Sequence, residues 1–184
     1  GNIYSVNGEV AATDQYELMS GTSMAAPQVA GMVALVQQYL REQEIEVAGM
    51  TSRALTQSLL MSTATALRDR ASGNFYPILQ QGAGLANVRA ALRTPTFVTV
   101  DGQNDGKVKV ELGDDPNRTG AYAFRFQLHN LTDTECAYQL SSDVFTQATE
   151  AGAGGFSYLS VLTRTMDATV EFSVDSQSVM EYTG

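Results

Sequence analysis

A chain of 184 residues with 43% hydrophobic content can bury one or two small globular cores. Its formal net charge of -9 leaves no basic patch to meet phosphates, which excludes nucleic acid as a partner, and no apolar run is long enough for a membrane span. The single cysteine, Cys136, excludes an internal disulfide and reads as a small core residue in an apolar strand.

In chain order, the first informative run is Gly21-Thr22-Ser23-Met24-Ala25-Ala26-Pro27. After it, Val29, Ala30, Val33, Ala34, Val36 and Leu40 recur at helical spacing with few charges among them, which predicts a helix buried almost all round. Unpaired backbone N–H groups and the positive end of the macrodipole at its amino end favour negative charge. Ser23 stands in that field. Its hydroxyl can attack a carbonyl while its N–H donates to the oxyanion of the tetrahedral intermediate; the plainer alternative is that Ser23 only caps the helix. Gly21 allows a sharp turn and a close approach, and Ala25 and Ala26 keep that approach open. Met19, Met24 and Met32 have irregular spacing and read as packing residues.

Charged residues from Arg41 to Glu46 mark a solvated exit, and Gly49 a break. A second helix is predicted next, capped by Thr51 or Ser52, with Leu55, Leu59 and Ala66 on one face. Ser72-Gly73-Asn74 predicts a turn. A helix after Asn87 should end near Arg93-Thr94-Pro95, where the proline opens a new domain.

From Thr96 the period changes to two. Val108, Val110 and Leu112 alternate with polar residues, as do Tyr122, Phe124, Phe126 and Leu128, then Tyr138 and Leu140, then Val170, Phe172 and Val174. Short strands separated by clusters such as Asp114-Asp115-Pro116-Asn117 predict an antiparallel sandwich. Residues 101–106 begin like a calcium loop, but the twelfth position is Leu112 instead of a bidentate carboxylate, so they read as a solvated turn. Gly152-Ala153-Gly154-Gly155 lacks the lysine of a phosphate cradle and reads as a flexible loop. The tripeptides at Asn117 and Asn130 match a glycosylation sequon but are assigned no glycan.

The run from Gly21 to Pro27 resembles the serine motif of the subtilisin-like serine proteases. The resemblance extends to Gly1 through Tyr4 as the preceding strand and to Tyr16-Glu17-Leu18-Met19-Ser20 as the approach. It also takes in Gln81-Gly82-Ala83-Gly84-Leu85-Ala86-Asn87, with Val88 to Leu92, as the segment that closes the catalytic domain. Gln28 stands where many members carry a histidine that is not the catalytic base. The run from Phe124 to Leu140 resembles the fibronectin type III-like domain that follows the catalytic domain in large cell-envelope subtilases of the lactocepin and C5a-peptidase type. The expected fold class is therefore α/β over residues 1–94, the carboxyl-terminal part of a subtilisin-like domain, followed by an all-β fibronectin type III-like sandwich over 95–184 that stops before its last strand.

The resemblance implies peptide-bond hydrolysis through a serine acyl-enzyme, with Ser23 as nucleophile and its N–H in the oxyanion hole. The residues of this chain point to no cofactor and no metal. The family orders its triad Asp, His, Ser, so the aspartate, the histidine and the oxyanion-hole asparagine should lie upstream. Among the residues before Ser23 there is no histidine, and Asp14 is too close to serve. His129 reads as an outward residue at a strand end. The chain is thus expected to be a piece of a longer, bacterial, secreted or wall-attached endopeptidase, inactive alone. Its expected partners are protein or peptide substrates, the amino-terminal part of the same polypeptide, and further copies reached through the incomplete sandwich. The competing reading is a structural or adhesive module that keeps a subtilase-like core without catalysis.

Overall fold

The computed structural model describes residues 2–6, 8 and 16–174; Asp14 lies outside the described residues. Strand β1 (Ile3–Val6) pairs antiparallel with β2 (Tyr16–Met19), Ile3 opposite Met19 and Val6 opposite Tyr16. The rings of Tyr4 and Tyr16 stack at 5.5 Å, a cross-strand pair of the kind that fixes register. Strand β2 leads through Ser20 and Gly21 into helix α1 (Thr22–Glu42).

Helix α2 (Ser52–Ser62) starts where its cap was predicted, with the Thr51 hydroxyl accepting the Ala54 N–H at 3.2 Å. A short helix α3 (Ile78–Gln81) precedes α4 (Val88–Arg93), which Asn87 opens by accepting the Ala90 N–H at 3.1 Å and which stops before Pro95. Strand β3 (Thr96–Val100) pairs antiparallel with β4 (Phe126–Asn130). Strands β5 (Phe145–Ala151) and β6 (Ser157–Thr165) form a hairpin, and the glycine-rich run between them is a 3-10 turn at Ala153–Gly155.

Two compact units result, one within residues 1–65 and 83–133 and the other within 66–82 and 134–184. The core of the first joins Val36 and Leu40 of α1, Leu55, Leu59 and Leu60 of α2, Ala91 of α4 and Phe97 of β3. Each of these side chains larger than alanine contributes about 1.5–3 kcal/mol on burial. A reciprocal pair of backbone bonds between Thr65 and Leu85, 3.0 and 2.8 Å, holds the closing segment in this unit. In the second unit, Asp69 accepts the N–H and hydroxyl of Ser72, both at 2.8 Å, to form the turn predicted at Ser72-Gly73-Asn74.

Three expectations need correction. Helix α1 is not buried all round: only Val36 and Leu40 are buried, while Val29 and Leu35 are about half exposed. Among the described residues its helical packing partners are α2 and α4, and the core they form reaches only its later turns. Of the four alternating runs after Thr96, only Phe126 and Leu128 lie on a strand; the runs at 108–112, 122–124, 138–140 and 170–174 form no ladder. The described strands make three separate two-stranded pairs. Alternation fixes which side chains share a face, but a ladder also needs a partner strand, which no local pattern supplies. Cys136 is half-buried and lies outside any strand.

Candidate active site

The arrangement around Ser23 is strand, turn, helix. Gly21 takes φ +152° and ψ 172°, a backbone region that is essentially restricted to glycine. A Cβ there would meet only the Met24 Sδ at 3.8 Å, so the demand for glycine comes from the backbone and not from crowding. The Gly21 carbonyl accepts both the Met24 and the Ala25 N–H at 3.1 Å, which closes the first turn.

Ser23 is the second residue of α1 and is exposed. Gly21, not Ser23, occupies the capping position, and among the described residues no side chain caps this helix. The capping alternative therefore does not account for Ser23. Among the described residues, no hydrogen bond takes up its hydroxyl or its N–H. No acidic residue occupies the first turn, so no carboxylate there offsets the positive end of the helix dipole. Pro27, four residues on, lacks an N–H and leaves the Ser23 carbonyl without its helical donor. That consequence can be read from the sequence by counting one turn forward. Ala25 and Ala26 are exposed beside it, and Met24 is half-buried against Gly21.

His129 is engaged elsewhere. It lies opposite Phe97 in the β3–β4 ladder, its ring stacked on Phe97 at 4.5 Å and its Nε2 2.7 Å from the Thr99 hydroxyl oxygen. Burial pushes its pKa below the ordinary histidine value. It reads as a structural residue of this strand pair, less outward than the sequence suggested. Among the described residues, no group of three or more His, Cys, Asp or Glu side chains is placed to hold a metal. In the calcium-like run, Asp105 is instead bonded to its neighbour Lys107, through the backbone N–H at 3.0 Å and the ammonium at 2.7 Å. Both contacts hold the Asp105 carboxyl below the usual range. No helix of the described residues is long and apolar enough to cross a membrane.

Residues 2–84, which contain the whole β1, β2, α1 and Ser23 arrangement, match the sequence model of the subtilase family. The chain carries a subtilase-family segment over these residues. It is 31% identical over 122 residues to a C5a peptidase of Streptococcus pyogenes, covering 66% of this chain and 10% of that protein. It is 32% identical over 171 residues to a PII-type proteinase of Lacticaseibacillus paracasei, and 30% identical over 171 residues to one of Lactococcus lactis subsp. cremoris; each match covers 84% of this chain and 8% of the relative. The chain thus spans no more than a tenth of the length of the curated relatives it matches. In this subtilase segment, helix α1 supplies the serine-bearing turn, and α2 and α3 follow within the matched residues.

Proposed function

We propose that this chain is the nucleophile-bearing part of a serine endopeptidase, with Ser23 as the nucleophile. One observation carries the reading: in a segment of the subtilase family, Ser23 is exposed in the first turn of α1 and, among the described residues, no hydrogen bond engages its hydroxyl or N–H. In the proposed reaction Ser23 Oγ attacks the scissile carbonyl and a histidine, oriented by an aspartate, takes its proton. The oxyanion is held by the Ser23 N–H and an asparagine side chain. Collapse expels the amine, which receives the proton from the histidine, and water activated by the same histidine hydrolyses the acyl-enzyme.

The aspartate, histidine and asparagine are proposed to belong to a longer polypeptide, in line with the length of the relatives and with the absence of histidine before Ser23. The exposed early turns of α1 offer that part a surface to cover. The chain alone is then inactive. Relatives named as peptidase and proteinase support protein or peptide substrates; the secreted or wall-attached bacterial location is proposed alongside. Residues 95–184 are proposed as a fibronectin type III-like module, with a boundary near 94 that the compact units do not follow. A second reading, a structural or adhesive module without catalysis, is favoured by the missing histidine alone. Casein hydrolysis by the full-length parent and its Ser23→Ala variant tests the choice: loss of turnover supports the nucleophile, and retained turnover removes it.

A further inference from the structure

Residues 66–82 lie within the stretch that matches the subtilase family, yet they form one compact unit with residues beyond 133. Phe75 is where the two meet. Its carbonyl accepts the N–H of Thr163 at 2.9 Å and the Thr163 hydroxyl at 2.8 Å. Its ring stacks on Phe145 with centroids 4.7 Å apart, and the Arg68 guanidinium lies 3.8 Å from the centre of the same ring. Arg68 also reaches Asp143 at 3.2 Å.

From the other side, Gln81 braces the loop. Its Oε1 accepts the Leu67 N–H at 2.6 Å, and its Nε2 donates to the Tyr76 carbonyl at 2.6 Å and the Leu67 carbonyl at 3.3 Å. Leu67 and Tyr76 flank Arg68 and Phe75, which are themselves bridged across the loop. The loop therefore presents both side chains already ordered, which lowers the entropy lost when they bind. The β5–β6 hairpin, in contrast, has little core of its own. Phe156, Tyr158, Leu159 and Val161 are all more than half exposed, and an isolated two-stranded hairpin is marginal in water.

We infer that the 66–82 loop is a docking element through which the subtilase segment holds the β5–β6 hairpin, with Phe75 as its anchor. The Arg68–Asp143 pair orients the contact but adds little, since both side chains are more than half exposed. The inference concerns attachment and does not depend on whether Ser23 is a nucleophile.

Hydrogen exchange on the whole chain tests it. Phe75→Ala should speed exchange of the Thr163 and Met166 amides on the order of tenfold while the α2 amides keep their rates. Coupling is reciprocal, so Phe145→Ala should likewise speed the Gly73 and Tyr76 amides. Asp143→Asn should change these rates less than about twofold. The inference is overturned if the hairpin amides of Phe75→Ala keep wild-type rates, if α2 accelerates equally, if Phe145→Ala leaves the loop unchanged, or if Asp143→Asn matches the effect of Phe75→Ala.

Discussion

The Ser58 hydroxyl of α2 donates to the Val98 carbonyl of β3 at 2.5 Å, and Ser62, one turn later, accepts the Val98 N–H at 3.0 Å. Val98 sits opposite Leu128 but turns its own polar groups away from β4, so two helix hydroxyls complete the outer edge of β3. Ser58 is fully buried. Ser58→Ala should therefore leave the Val98 carbonyl without a donor and destabilise the chain by about 1–3 kcal/mol, partly offset by the better helix propensity of alanine. Urea denaturation measures this; an unchanged midpoint would mean that water replaces the hydroxyl.

Gly106 approaches α2 from the other direction. At φ +79° an added Cβ would overlap the Ala54 carbonyl oxygen and lie 2.6 Å from its carbonyl carbon. Gly106→Ala should cost about 2–4 kcal/mol, combining backbone strain with overpacking. Gly102 has the same φ of +79° with nothing within 4 Å, so Gly102→Ala should cost only the backbone part, about 1–2 kcal/mol. Equal losses in the two variants would show that the close approach to Ala54 is relieved at no cost.

His129 gives the pH dependence a sign. Its folded pKa is lowered by burial from the ordinary 6.5, so the unfolded chain binds the proton more readily. Its contribution is complete above about pH 6.5 and declines as pH falls through the window below that value. Melts at pH 5.5 and 7.5 should show this loss, and His129→Gln should reduce the difference between them. A variant with the same pH difference would place the sensitivity elsewhere.

Proteolysis assays on this chain alone should show no Ser23-dependent cleavage of casein, because the only histidine is held by Phe97 and Thr99. Loss of a triad member costs on the order of a million-fold in turnover. Turnover at ordinary protease rates would contradict the proposed division of the site.

How far the fold was legible follows the range of each interaction. The cap at Thr51 is local and was readable from residue type and spacing, as was the start of a helix after Asn87. The Ser23 turn was readable for the same reason, since the glycine, the serine and the helix are contiguous. The pairing of β3 with β4 spans more than twenty intervening residues, and nothing in Thr96 to Val100 names its partner. Strands β5 and β6 carry threonine, serine and glutamine with a register shift between Gln147 and Thr149, which blurs the alternation that marks a strand. The apolar stripe of α1 was visible, but how much of it is covered depends on what packs against it.

The most direct test of the central claim is active-site labelling of the full-length parent with a fluorophosphonate, followed by mass-spectrometric mapping of the modified residue. The account predicts a single stoichiometric adduct on Ser23, lost in Ser23→Ala while that variant stays within about 1 kcal/mol of the original in stability. An adduct on another serine, or none on an enzyme that still hydrolyses casein, would contradict it.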